Sequence, residues 1–250
     1  MKNLESSFAE NQKNKLGEGD FETGPLKSLP DFIDFSQRKE PEKNQKESDI
    51  SDLERKYKLS RSEAKTLYYY TYNFDLNPRD LFGKDIVDIG SGFGEFKNAL
   101  EKIASANSVN TSILNFDRFN DGRFKNTDVV GNAESLPFKD ESFDVVLAHC
   151  STPIMQATSQ EYEAISKIIK EMFRIAKNGG VIKIHPIALV PRQKALQQFK
   201  KDYLRMGSIV LEELGKIHKI NKDIKIKIIE TSDNDEDESR GIYWSLELRK

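Results

Sequence analysis

One segment constrains this chain more than any other: Val87-Asp88-Ile89-Gly90-Ser91-Gly92-Phe93-Gly94-Glu95-Phe96. The apolar run Asp85 to Ile89 predicts a short buried strand. Beyond the turn, Phe96, Ala99, Leu100, Ile103 and Ala104 recur at the spacing of one helix face. A glycine-rich turn between a strand and a helix lets backbone approach a ligand closely. The ligand is narrowed by one position. A dinucleotide turn of the form G-x-G-x-x-G asks for Gly or Ala at residue 95, and this chain has Glu95, an acid where a pyrophosphate would lie. S-adenosylmethionine carries no phosphate, so Glu95 favours the methyl donor over NAD.

Strand and helix patterns alternate beyond the turn. Ser112 to Phe116, Thr127 to Val130, Phe143 to Ala148 and Val181 to Ile184 predict further strands. Thr158-Ser159-Gln160-Glu161 has the capping-box form and predicts a helix carrying Ile165, Ile168, Ile169, Met172, Phe173 and Ala176, stopped by Asn178-Gly179-Gly180. Residues from about 192 to 218 predict one or two helices with Gly207 as a break. Ile224 to Thr231 and Gly241 to Leu248 predict two late strands joined by the acidic loop Asp233 to Glu238, expected to be solvated. The expected class is α/β: a Rossmann-like, doubly wound, seven-stranded, mostly parallel sheet with an antiparallel edge strand. Ligands in such sheets bind at the carboxyl ends of the strands, where strand order reverses.

Residues 1–57 differ from the rest. They are rich in Glu, Lys, Asn, Ser and Asp, with apolar residues out of period, and predict a disordered or loosely docked extension. Only Leu29 to Phe35 is apolar enough to dock. Order is expected to begin near Ser60, whose Ser60-Arg61-Ser62-Glu63 is a capping box, so that residues 58–250 form the domain. The 41 acidic and 39 basic residues nearly cancel, which argues against a strongly basic nucleic-acid surface. One cysteine, Cys150, excludes an intramolecular disulfide. No apolar run is long enough for a membrane span, and no secretory pattern opens the chain, so a cytoplasmic location is expected.

Five ordered segments resemble the class I S-adenosylmethionine-dependent methyltransferases. Asp88 to Gly94 resembles their motif I. Asp117, ending the second strand in Leu114-Asn115-Phe116-Asp117-Arg118, is similar to the acid that bonds both ribose hydroxyls. Gly131-Asn132-Ala133-Glu134-Ser135-Leu136-Pro137-Phe138 resembles the segment lining adenine, with Asn132 where Asp is usual. Ser142 to Val146 and Phe173 to Gly180 complete the series, the latter with Asn178 in place of Pro. The subgroup it resembles is that of ubiquinone/menaquinone-biosynthesis-like small-molecule methyltransferases.

The resemblance implies S-adenosylmethionine as cofactor. It implies a site of Asp88, Gly90, Ser91, Gly92, Gly94, Asp117, Arg118, Asn132, Ala133 and His149. A small-molecule acceptor is expected, with protein or RNA as the alternative. Methyl transfer from a sulfonium is an in-line displacement that needs alignment more than acid–base groups. A base is needed only for a protonated acceptor, and His149, after the fourth strand, is the candidate, with a wall or backbone role as the other reading. His185 either faces the pocket or packs as a structural residue, and His218 is expected at the surface. The three histidines and Cys150 show no metal-ligand spacing, so no metal is expected. The cluster Tyr68 to Phe74 either covers the cofactor or packs in the core.

Overall fold

The computed structural model describes residues 30–39, 41–119, 126–191, 200–232 and 241–250. The acidic loop Asp233 to Glu238 and most of the N-terminal extension lie outside these. Eight strands form one sheet: β1 (Ile33–Lys39), β2 (Asp85–Ile89), β3 (Ser112–Asp117), β4 (Val129–Val130), β5 (Phe143–His149), β6 (Ala176–Pro191), β7 (Lys225–Ser232) and β8 (Gly241–Arg249). Their order is β1-β7-β8-β6-β5-β2-β3-β4. β8 runs antiparallel to both neighbours, and every other pairing is parallel.

The helices are α1 (Lys43–Tyr57), α2 (Arg61–Asn73), α3 (Glu95–Ala106), α4 (Ile154–Thr158), α5 (Tyr162–Ile175) and α6 (Lys200–Ile220). α2 begins with the expected capping box: the Ser60 hydroxyl accepts from the Glu63 amide at 3.3 Å, and the Glu63 carboxylate accepts from the Ser60 amide at 2.7 Å. α3 buries Phe96, Ala99, Leu100, Ile103 and Ala104, the stripe its spacing predicts. Between β2 and α3 the chain leaves the sheet. It returns through β3 and β4 on one side of β2, then crosses to β5 on the other. The switch point therefore lies at the carboxyl ends of β2 and β5.

Four expectations about strands and helices are corrected. The sheet has eight strands rather than seven, because Ile33–Lys39 adds β1 alongside β7. The antiparallel strand β8 is interior, because it pairs with both β6 and β7, instead of at the edge. α5 starts at Tyr162 without a side-chain cap, since the Thr158 hydroxyl donates to Met155 O, and it stops at Ile175, three residues before Asn178. Gly207 breaks nothing: α6 runs through it, with Gly207 on the buried face beside Tyr203, Leu204, Met206 and Val210.

The segment before Ser60 holds two of these elements. β1 pairs with β7 over seven residues, a partner far away in sequence that local pattern cannot reveal. Ile50 of α1 is fully buried with Leu59, Ala64 and Leu67. His218, expected at the surface, is half-buried because Phe32 stacks on its ring, 4.2 Å between centroids.

Candidate functional site

The glycine turn sits where the sheet's geometry places a ligand. Gly90, Gly92 and Gly94 all have positive φ, at 72°, 57° and 72°, which an L side chain rarely adopts. Phe116 O accepts from the amides of Gly90 and Ser91 at 2.7 and 3.2 Å, pinning the turn to the end of β3. Each glycine has a different surrounding. A Cβ on Gly90 would meet the Ser151 side chain at 2.2 Å, and one on Gly94 would meet Asn115 Nδ2 at 2.5 Å. A Cβ on Gly92 would meet nothing within 4 Å, so the turn opens to free space there.

Around that opening stand the acids. Asp117 Oδ2 accepts from the Gly92 amide at 3.0 Å, and Oδ1 from the Phe119 amide at 3.2 Å. Both oxygens keep lone pairs for a hydroxyl. Asp88 is wholly buried under the turn. Its Oδ2 accepts from the Tyr70 hydroxyl at 2.8 Å, while its Oδ1 has no partner. The Ser91 hydroxyl is likewise buried and unpartnered. Both atoms belong to residues within two positions of Gly90, where a ligand's polar groups can pair with them. Burial pushes the Asp88 carboxyl up to about 7, with Asp117 adding to the rise and the Tyr70 hydrogen bond opposing it. Burial, with Asp88 beside it, raises the Tyr70 hydroxyl well above its ordinary value.

Tyr70 ties α2 to the site. It stacks on Phe96, 4.0 Å between centroids, and on His149 at 4.5 Å. Sequence left the tyrosine cluster open between cofactor cover and core; Tyr70 is buried in the core, with its hydroxyl on Asp88. His149 is half-buried, with Nε2 2.8 Å from Asn73 Nδ2. Burial lowers its pKa to about 3, so the ring is neutral near pH 7. Burial also holds His185 well below its ordinary value, with His149 adding to the effect, and Ser245 Oγ lies 2.8 Å from its Nδ1.

The segment after β4 runs beside Asp117, whose carbonyl accepts from the Gly131 amide at 3.0 Å. Asn132 Oδ1 accepts from the Glu134 amide at 3.1 Å, an Asx turn that presents Asn132 and Ala133. Arg118 is exposed beside Phe119. Further along this segment Arg174 donates to Leu136 O, Phe138 O, Asp140 and Glu171, at 3.0, 2.8, 2.8 and 2.7 Å. Sequence pattern marked Arg174 only as part of a motif; its role in holding residues 136–140 appears in the contacts. Asn126 was missed outright: it donates to Phe93 O at 2.9 Å and bridges the glycine turn to β3 through Asn115. Of the large apolar side chains exposed among the described residues, Phe93, Phe119, Val130 and Met155 all lie just beyond, or at the end of, the strands that build this site.

Glu95 occupies the first turn of α3, where its carboxylate accepts from the Thr66 hydroxyl at 3.2 Å. An anion would be repelled there. A nucleoside without phosphate fits the turn, the open space over Gly92, the Asp117 carboxylate and the unpartnered Asp88 oxygen together.

Residues 87–184 match the family described as the methyltransferase domain. The "Ubiquinone/menaquinone biosynthesis C-methyltransferase UbiE" of Vibrio parahaemolyticus is 26% identical over 162 residues, 58% of this chain and 58% of that protein. The protein of the same name from Cronobacter sakazakii is 25% identical over 161 residues, 58% of this chain and 60% of its own. The chain thus spans about three-fifths of the length of these curated relatives. Among solved structures, a SAM-dependent methyltransferase from Methanosarcina mazei aligns at 19% identity and a TM-score of 0.45, covering 70% of this chain and 98% of that one.

Proposed function

We propose that this chain, which carries a class I S-adenosylmethionine-dependent methyltransferase domain over residues 87–184, transfers a methyl group to a small-molecule acceptor. One observation carries the reading. The carboxylate that closes β3 is bonded to the central amide of a glycine turn whose outer face is open, directly over a buried aspartate with an unpartnered oxygen. Bound S-adenosylmethionine supplies a methyl carbon already activated by the sulfonium charge.

The residues have the following roles. Gly90, Gly92 and Gly94 hold the turn in the conformation that exposes its backbone. Asp88 accepts from the cofactor's ammonium through its free oxygen, directly or through water. Asp117 accepts hydrogen bonds from the ribose hydroxyls through charge-assisted contacts. Asn132 and Ala133 line the adenine, with Arg118 at its exposed rim. Ser91 contributes its unpartnered hydroxyl. His149, neutral and braced by Asn73, walls the acceptor side; its low basicity makes it a poor proton acceptor near neutral pH. Catalysis then rests on alignment and exclusion of water.

The acceptor class follows from likeness to relatives whose names place them in ubiquinone and menaquinone biosynthesis. Isothermal titration with S-adenosylmethionine tests cofactor binding, and incorporation of labelled methyl into fractionated cell extract tests the acceptor. Saturable binding with label in the small-molecule fraction is expected. Absence of binding would sink the enzyme reading, and label confined to protein or RNA would overturn the acceptor class.

A further inference from the structure

β5 and β6 place His149 and His185 directly opposite each other. Their rings lie 5.2 Å apart and within 20° of parallel. Cys150 follows His149, and its amide donates to His185 O at 2.6 Å, which holds the loop after β5 against β6. A ring nitrogen of each histidine and the cysteine sulfur all lie within 4.8 Å of one another. We propose that His149, Cys150 and His185 bind one divalent transition-metal ion of the zinc class.

The donor set selects the ion. Two imidazoles and a thiolate suit zinc and its cobalt substitute, whereas magnesium and calcium require oxygen ligands, and this trio has none. Metal bonds of about 2.0–2.3 Å set the ligand atoms of a tetrahedral site roughly 3.5 Å apart, so closing on the ion asks side-chain shifts on the order of 1 Å and a turn of the near-parallel rings that brings their in-plane nitrogen lone pairs together. Metal-bound histidines characteristically have their second ring nitrogen held by a neighbour. His185 has that support from Ser245 Oγ, 2.8 Å from its Nδ1, while Asn73, 2.8 Å from His149 Nε2, holds that ring's N–H once its amide turns to present Oδ1.

The backbone agrees. Cys150 has a φ of 51°, a left-handed conformation that costs a non-glycine residue and tends to gather at functional positions. Access is graded, with His185 buried, His149 half-buried and Cys150 exposed, so an ion has an entry path through the sulfur. Binding releases the thiol proton to solvent, because thiolate is the ligand form. Three protein ligands leave a fourth position for water or an acceptor heteroatom. The site abuts the glycine turn: Ser151, next to Cys150, donates to Ile89 O at 2.7 Å. Ion binding itself does not depend on the methyltransferase reading.

The test is titration of the purified full chain with Co²⁺, followed by absorption, with Zn²⁺ as competitor. One equivalent with a thiolate-to-cobalt charge-transfer band, displaced by Zn²⁺, is expected. Cys150→Ser should remove the band, and His185→Ala should weaken binding at least about tenfold. Ser245→Ala, which leaves all three ligands in place, should weaken it about 10–100-fold through the lost ring support. No charge-transfer band in the unaltered chain, which needs no variant to fold, would overturn the proposal; so would full binding by Cys150→Ser. Titration of the metal-free chain with S-adenosylmethionine in parallel reports on the nucleoside pocket separately.

Discussion

Asp117 accepts a hydrogen bond from the Gly92 amide at 3.0 Å, so the last residue of β3 fixes the turn that follows β2. In the proposed function the same carboxylate takes the ribose hydroxyls. Asp117→Ala is expected to weaken S-adenosylmethionine binding at least about tenfold, from loss of charged hydrogen bonds worth roughly 1.5–3 kcal/mol. Calorimetry gives the dissociation constant, and an unaltered value would remove Asp117 from the site.

Gly90 and Ser151 are in steric opposition. A methyl group at residue 90 would lie 2.2 Å from the Ser151 Cβ, at a φ of 72°. Gly90→Ala is expected to destabilise by at least about 2 kcal/mol, from left-handed strain and overpacking together. Adding Ser151→Gly removes the clashing atoms but not the strain, so the pair should recover part of the loss. Urea denaturation of both variants measures it. Full recovery would show that backbone strain contributes nothing.

Asp88 gives a pH dependence of defined sign. Its folded pKa, about 7, lies above the ordinary carboxylate value. Between those values the folded chain holds a proton that the unfolded chain releases. The stabilisation is complete below the ordinary value and is lost as pH rises through about 7. Asp88→Asn should therefore flatten the fall in melting temperature between about pH 4 and 7. Binding of the cationic cofactor should also weaken below pH 7 and release a proton, which calorimetry in buffers of different ionisation enthalpy detects. An identical pH profile in the variant would contradict this.

Arg174 braces the segment that follows Asn132 and Ala133. Its guanidinium serves two carbonyls and two carboxylates, a fork that lysine cannot reproduce. Arg174→Lys is expected to cost about 2 kcal/mol and to speed amide exchange at Leu136, whose N–H donates to Glu171 at 2.8 Å. Hydrogen exchange resolved by residue checks it. The glycine turn, which Arg174 does not touch, should exchange as before.

The parts of the site that sequence made legible are those written locally. Strand, turn and helix lie within Asp85 to Ala106, and Asp117 closes the next strand, so spacing alone places them. The relation of His149 to His185 was not legible. The two are 36 positions apart and meet only because β5 and β6 pair in that register. β1 was hidden for the same reason: Ile33–Lys39 has a single buried residue, and its order comes from a distant partner strand. The helix cap expected at Thr158 failed because that hydroxyl turns back to Met155 O, a competing local bond that the motif does not encode.

The placement of β1 also bears on how the polypeptide should be handled. Cutting away residues 1–57 as a dispensable leader would strip the outermost ribbon from β7 and bare a row of peptide groups ready to pair with another molecule. Such a shortened protein, ending on β7 with its buried Ile226, Ile228 and Ile229, is expected to self-associate, visible as early elution on a sizing column, while the version retaining Ile33–Lys39 ends on a strand with a single buried residue.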